Sequence, residues 1–220
     1  AGMVGVIATS HIIESLGLTQ LGTVMDERFP AVALIQNEVP RHPVRVYQGK
    51  GIGVFTAEIQ FEKEQDIAFG STVLEWFMAG GFEQLIIIDG ILKPEKEVQG
   101  EGLFAVGASE TARKRLKEMD LHTIQRGIVS GITGFLLSEG DRLNLDITAL
   151  LSEASPMYPD VRAAAVAIEA ITEMTGIEIP LSKMLENARE IEHSVQDIIQ
   201  NSTPLLPSPD DDVENDPSFG

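Results

Sequence analysis

The sequence predicts an α/β fold, and three features of the chain predict it. Residues 124–137 place a short apolar run, Ile128–Val129, before two glycines and an apolar triplet, an order that indicates strand, tight turn and helix. Leu85–Ile88 is a continuous apolar run, which is typical of a central parallel strand buried on both faces. Segments with apolar residues at helical spacing alternate with these and other strand candidates.

Two glycines, Gly131 and Gly134, stand at the centre of 124–137. A glycine in the turn permits a positive φ, and a glycine in the first helical turn lets the helix pack closely against a neighbouring strand. Such a turn also points backbone N–H groups at one place, where an anion can bind. Their spacing fits no complete phosphate-binding fingerprint, so close packing is the simpler interpretation. Both glycines also remain candidates for lining a ligand pocket.

Composition narrows the class of protein. The chain has 220 residues, of which 43% are hydrophobic, which is enough for the core of one α/β domain. It has no cysteine, and its four histidines show no paired ligand spacing. We therefore predict no thiol chemistry, no metal site and no cofactor.

The net charge limits the kinds of molecule that this protein can bind. Sixteen basic and 34 acidic residues give a net charge of −18, which disfavours nucleic acid and anionic membrane as partners. No apolar run approaches the roughly 18 residues that span a bilayer. Ala1–Leu16 lacks the basic start of a signal peptide. We expect a cytoplasmic protein.

The first half of the chain contains one helix followed by short strands. Val4, Ala8 and Ile12 recur at helical spacing directly after Gly2. Because a helix that starts in a glycine turn normally follows a buried strand, we expect the first strand to be missing and the sequence to be N-terminally truncated. The strand candidates after this helix are Leu21–Met25, Ala31–Ile35, Val44–Tyr47 and Ile52–Glu58, the last two joined by a hairpin turn at Gly49–Gly51.

Charged residues on these strands are the candidates for a site. Arg41, His42 and Arg45 form a small basic cluster, which favours either an anion clamp or, more simply, the solvated face of an alternating strand. Glu58 and Asp89 both lie at predicted strand ends, and open α/β sheets bind ligands beyond the carboxyl ends of strands. The two carboxylates are therefore pocket candidates as a general acid and a general base.

The second half alternates helices and strands. A helix is predicted over 64–80, with the single tryptophan, Trp76, in its apolar stripe and Gly80–Gly81 at its end. The remaining candidates are a strand at Leu103–Val106, a helix at Glu110–Met119 capped by Ser109, a strand at Ile147–Leu151, a helix from Pro159–Asp160, and a last amphipathic helix from Pro180 to Ile198.

The composition changes after residue 201. Residues 1–201 are predicted to form a single α/β domain, whereas prolines and acidic residues in 202–220 predict a disordered acidic tail. The tail ends in Phe219 and Gly220, which offer a ring and a chain-end carboxylate to a partner's pocket. A tail that only confers solubility explains the composition equally well.

Several segments, in this order, resemble the archaeal form of the proteasome assembly chaperone family, over Gly2 to about Gln200. They are Gly2–Gly5, Phe29–Pro30, Pro43–Tyr47, the helix around Glu75–Trp76, Gly127–Leu137 and Pro159–Ala164. The resemblance implies a three-layer αβα sandwich like that of nucleoside phosphorylases, with a mixed, mostly parallel sheet that here lacks its first strand. It also implies a homo-oligomer that binds the proteasome core particle or its α-subunits without catalysis.

The family resemblance extends to the chain end. Some members end in a hydrophobic residue, a tyrosine and any residue, and that end inserts between α-subunits of the proteasome. Here Phe219 occupies the tyrosine position and Gly220 the last position, while Ser218 replaces the hydrophobic residue.

Two alternatives remain open from the residues. One is an enzyme on a phosphorylase-like scaffold, with the glycine turns binding phosphate, Arg45 or Arg126 as a clamp, and Glu58 or Asp89 as acid or base. The other is a small-ligand sensor. Convergence of Glu58, Asp89 and a basic residue in one pocket would favour the enzyme.

Overall fold

The computed structural model describes residues 3–36, 38–92, 102–155 and 158–186. The first element of the described residues is helix α1. The elements are α1 Val4–Leu16, β1 Thr19–Thr23, β2 Leu34–Gln36, β3 Val39–Arg41, β4 Val44–Gly49, β5 Ile52–Ala57, a 3-10 turn Lys63–Gln65, α2 Asp66–Ala79, β6 Leu85–Leu92, β7 Leu103–Gly107, α3 Glu110–Glu118, β8 His122–Thr123, α4 Gly131–Leu143, β9 Ile147–Ala154 and α5 Val161–Thr175.

The strands form two sheets and a separate hairpin. One sheet has the order β1-β4-β5 and is antiparallel, and β2 pairs with β3 alone. The other has the order β6-β9-β7-β8, with β6 parallel to β9, β7 parallel to β8, and β7 antiparallel to β9. Helices α1 and α5 pack together on one face, and α2 packs with α4 on the other. The fold is a mixed α/β sandwich, as the sequence predicts.

Strand β9 is the centre of the larger sheet. All eight of its residues are buried. Leu150 and Ala154 belong to the core that α1 and α5 cover, whereas Ile147, Ala149 and Leu151 belong to the core beneath α2 and α4. Side chains alternate between the two faces of a strand, so this one strand contributes to both cores.

The predicted central position of Leu85–Ile88 is wrong. These residues lie in β6, which is an edge strand of the described sheet, pairs with β9 alone, and is only half-buried. Its apolar residues face a cleft on one side in place of a further strand. The strand also runs on to Leu92, so Asp89 lies within it and not behind it.

The predicted strand at Ile128–Val129 is also wrong. These residues belong to a loop, and Ile128 is 96% exposed. Two apolar residues are too few to hold a strand without a partner to pair with, and the strand nearest before the helix is the short β8. The helical part of the prediction is confirmed, because α4 begins at Gly131.

The glycine turn at the start of α4 has two different functions. Gly131 has a φ of 71°, a left-handed conformation that favours glycine. A Cβ on Gly134 would lie 2.2 Å from the carbonyl oxygen of Val129, so this glycine lets α4 pack on its own preceding loop. The neighbour is a loop, where the sequence predicted a strand.

The antiparallel region differs from the prediction in its details. The predicted strand Ala31–Ile35 begins later, at Leu34, and pairs with β3, which the sequence did not predict because it contains Pro40. A two-stranded hairpin has free edges, where proline is tolerated. The turn between β4 and β5 is confirmed, with positive φ at Lys50 (55°) and Gly51 (78°), as a tight hairpin requires.

Local signals at helix ends are confirmed. The Ser109 hydroxyl accepts a hydrogen bond of 3.1 Å from the Ala112 N–H, and Asp160 accepts one of 3.0 Å from the Ala163 N–H. Residues 182–186 begin the predicted last helix, whose remainder lies outside the described residues, as does the tail 202–220 with Phe219 and Gly220. Within the described ranges, no helix combines the length and apolar character needed to cross a membrane.

We expect Leu150→Ala to lower the free energy of unfolding by about 3 kcal/mol, because Leu150 is fully buried in β9 and its truncation leaves a cavity. Ile35→Ala is the matched control, since Ile35 is 68% exposed. Urea denaturation followed by circular dichroism measures both. Equal effects of the two substitutions would contradict the central position of β9.

Candidate functional site

A cleft of about 1580 Å³ lies between β5 and β6. The free edges of the two strands line it, the first turns of α1 and the end of α5 lie on one side, and α2 and α4 lie on the other. Its volume exceeds the roughly 300–1,000 Å³ that small-molecule sites enclose. Residues that represent each wall are Val6 and Thr9 of α1, Val54 and Thr56 of β5, Phe69 and Trp76 of α2, Ile86 and Ile88 of β6, Gly131 and Thr133 of α4, and Met174 of α5.

Aromatic contacts build the wall between α2 and β5. The ring centroids of Trp76 and Phe55 lie 5.7 Å apart, and those of Trp76 and Phe82 lie 4.8 Å apart. Gly53 makes this arrangement possible, since a Cβ there would lie 2.7 Å from the indole and 2.8 Å from the Phe82 ring. The helix spacing predicted an apolar position for Trp76, but its place beside Gly53 depends on contacts distant in sequence.

Asp89 and Gly131, two of the predicted pocket residues, both line the cleft. Both carboxylate oxygens of Asp89 have partners: the Gly90 N–H donates to one at 2.7 Å, and the Thr133 hydroxyl donates to the other at 2.9 Å. The second bond joins β6 to the first turn of α4. Asp89 therefore has a clear structural function, in holding the wall of the cleft.

Glu58 does not share the site with Asp89. It follows the end of β5, as predicted, but it does not line the cleft and forms an ion pair with Arg45. The Arg45 side chain is 3% exposed and also donates to the His42 carbonyl oxygen at 2.7 Å. The expectation of a solvated strand face is wrong for β4, because the strand lies between β1 and β5 and its first four residues are buried.

The other basic candidates also lie away from the cleft. Arg41 donates to the Gln20 side chain at 3.1 Å, and Arg126 is exposed on the loop before α4. Neither residue lines the cleft. Arg41 is engaged with Gln20, and Arg45 with Glu58 and the His42 carbonyl oxygen, so the predicted basic cluster does not converge into an anion clamp.

Arg115 and Asp146 are cleft residues that the sequence did not single out. Arg115 forms an ion pair with Asp146 and donates to the Gln84 side chain at 2.8 Å, and all three residues line the cleft. Arg115 and Asp146 are 31 residues apart, so no local pattern brings them together. The pair neutralises the basic side chain at this end of the cleft.

The two carboxyl groups whose pKa is clearly lowered lie outside the cleft. Arg28 donates side-chain and backbone hydrogen bonds to Asp26 and lowers the pKa of that carboxyl to about 2. Arg142 lowers the pKa of Glu139 through side-chain hydrogen bonds and its charge. Neither carboxyl lines the cleft. In the part of the chain that the structure describes, no three histidine or acidic side chains are grouped to hold a metal ion.

The cleft does not bring together the two carboxylates that the sequence singled out. Its walls combine apolar and polar surface, its basic residue Arg115 is already paired, and Glu58 lies outside it. An acid–base mechanism needs two groups within reach of one substrate, and Glu58 and Asp89 do not provide that pair.

The chain is similar to known proteins over nearly its whole length. Residues 1–199 match the PAC2 family. An uncharacterized protein of Methanocaldococcus jannaschii is 22% identical over 205 residues, which cover 93% of this chain and 84% of that relative.

Two solved structures from Pyrococcus furiosus are similar to this fold. PbaA, described as an archaeal homolog of proteasome-assembly chaperone, has a TM-score of 0.84 and 25% identity, with 91% of this chain and 84% of PbaA covered. PbaB, described as an archaeal proteasome activator, has a TM-score of 0.74 and 22% identity, with 90% of this chain and 89% of PbaB covered.

We expect Glu58→Ala to lower the free energy of unfolding by about 3 kcal/mol, because it leaves the buried Arg45 guanidinium without its ion-pair partner. The double variant Arg45→Met with Glu58→Leu is the control, and it should recover most of the loss since it removes both charges. Thermal and urea unfolding measure both. A double variant less stable than Glu58→Ala would contradict this assignment.

Proposed function

The chain belongs to the PAC2 family, and from this membership we propose that it is a non-enzymatic proteasome assembly chaperone or proteasome-binding adaptor. Its proposed partners are the proteasome core particle or the α-subunits of that particle. The proposal includes a homo-oligomeric state, which the family resemblance implies, and a cytoplasmic location.

One observation carries this proposal. The similarity to PbaA, the archaeal homolog of a proteasome-assembly chaperone, covers 91% of the chain at a TM-score of 0.84. A match of this extent involves both sheets and both helical layers, not one shared motif. The separation of Glu58 from Asp89 supports the non-enzymatic part of the proposal, because the enzyme alternative expects these two residues to meet in one pocket and Glu58 lies outside the cleft.

The proposed mechanism is thermodynamic. A protein that binds folded α-subunits or their ring, and not the unfolded chains, stabilises the bound state by mass action. At a free concentration one hundred times the Kd, this stabilisation is about 2.7 kcal/mol. No bond is made or broken, so the effect depends on the amount of chaperone relative to subunits.

The chain end gives the first test of the interface. We propose that Phe219 and Gly220 add an anchor to contacts made by the folded domain, because a terminal ring and carboxylate fit a pocket that recognises chain ends. Deletion of residues 202–220 should weaken binding to purified archaeal core particle about tenfold or more, and Phe219→Ala should account for most of that loss. Surface plasmon resonance with immobilised core particle measures the affinities.

Ser208→Ala is the matched control within the tail, and it should leave the affinity unchanged. Unchanged binding after the deletion would contradict the anchor and assign the interface to the folded domain alone. Absence of binding by the full chain, to the core particle and to free α-subunits, would contradict the proposed function itself.

A further inference from the structure

Residues 19–41, which we call the apolar segment, include β1, β2 and β3 and have little contact with either core. None of the described residues in this segment is buried, and among them only Val24 and Phe29 pack against a core. In the described part of the chain twelve large apolar side chains are exposed, and five of these belong to the segment: Leu21, Met25, Val32, Ile35 and Val39. Exposed apolar side chains gathered in this way mark an interaction surface.

The β2–β3 hairpin presents one apolar face of the segment to solvent. Ile35 and Pro40 lie opposite each other in the two strands, and both are exposed. The residues on either side of Ile35 in β2 point to the other face and are half-buried. Arg41 holds the hairpin near β1, because it donates to the Gln20 side chain at 3.1 Å. The exposed face is therefore part of a defined surface.

This hairpin has few contacts of its own to stabilise it. Among the described strands, β2 and β3 pair only with each other, over three residues each. A two-stranded hairpin is marginally stable at best in water, and packing against a further surface stabilises it. A molecule that covers the face of Ile35 and Pro40 supplies such a surface.

Charge indicates which molecule fits there. The whole chain has a net charge of −18, so two copies repel each other. The apolar segment has two arginines and three acidic residues, a net charge of −1, and residues 29–37 contain no charged side chain. Two copies therefore meet with little repulsion at this segment, whereas a basic partner would be attracted to the acidic surfaces elsewhere.

We propose that the apolar segment is a contact between two copies of this chain, in which the same surface of each copy packs on the other about a two-fold axis. The segment has 23 residues, within the roughly 20–30 residues that each side of a stable interface provides. The proposal rests on the homo-oligomeric state in the proposed function. It names the surface and the chemistry that produce that state, which are apolar side chains centred on Ile35.

Sedimentation equilibrium of the full-length chain measures the Kd of self-association. Ile35→Glu should raise this Kd about a hundredfold, because a two-fold contact buries the introduced carboxylate twice, at about tenfold per copy. Ile67→Glu is the matched control, since Ile67 is 64% exposed on α2 and Ile35 is 68% exposed, and it should leave the Kd unchanged. Ile35→Thr keeps a β-branched side chain in β2 and should raise the Kd about tenfold, through lost apolar burial alone.

Hydrogen exchange of the unaltered chain gives a second measurement, in which the amides of β2 and β3 should exchange more slowly as the chain concentration rises through the Kd. Unchanged self-association of both Ile35 variants would overturn the proposal, as would a chain that is monomeric at every concentration. Retained self-association of Ile35→Glu with loss of its binding to the core particle would overturn it too, and would assign the segment to the core particle. Binding of the unaltered chain to the core particle is measured separately, so failure of this contact is distinguishable from failure of the proposed function.

Discussion

The burial of β9 on both faces is the constraint on which the rest of the fold depends. This strand pairs with β6 on one side and β7 on the other, parallel to the first and antiparallel to the second. Its side chains enter both cores, so the two helical layers pack against the same eight residues. A strand in that position needs apolar side chains in both directions, and the run Ile147–Leu151 supplies most of them.

The antiparallel sheet depends on a different kind of contact. Between β5 and β6 the described residues form no backbone ladder, so side-chain packing joins the two halves. Helix α1 contacts both strands, and the Trp76 and Phe82 rings pack over Gly53 on the opposite side. The cleft is the space that this packing encloses. Among its charged groups, Arg115 and Asp146 pair with each other, and Asp89 accepts a hydrogen bond from Thr133.

Sequence reasoning succeeded where the determining contacts are local. Ser109 and Asp160 accept hydrogen bonds from N–H groups three residues ahead, and Lys50–Gly51 closes a two-residue turn. It failed where a distant element decides the outcome. Ile128 looked like part of a strand but has no strand to pair with, and Arg45 looked solvated although Glu58, 13 residues away, pairs with it inside the fold.

The residues of the candidate site likewise fall into two groups: those that local sequence could predict and those whose position depends on distant contacts. Glycine positions follow from backbone conformation, so Gly131 could be predicted as a turn residue and indeed begins α4. The sequence predicted Asp89 at a strand end, where ligands bind. Its hydrogen bond with Thr133 spans 44 residues and follows only from the packing of α4 on β6. The ion pair of Arg115 with Asp146 has the same origin. The spacing of these residues along the chain does not indicate such contacts.

The proposed function requires that the chain act by stoichiometric binding and not by catalysis. The most direct measurement is the yield of α-subunit rings formed from purified subunits at increasing amounts of this chain, followed by native mass spectrometry. Stoichiometric binding predicts a yield that rises with added chain and saturates near stoichiometric amounts, with the chain present in intermediate complexes. A full effect at a small fraction of the subunit concentration, or no effect at any ratio, would contradict it.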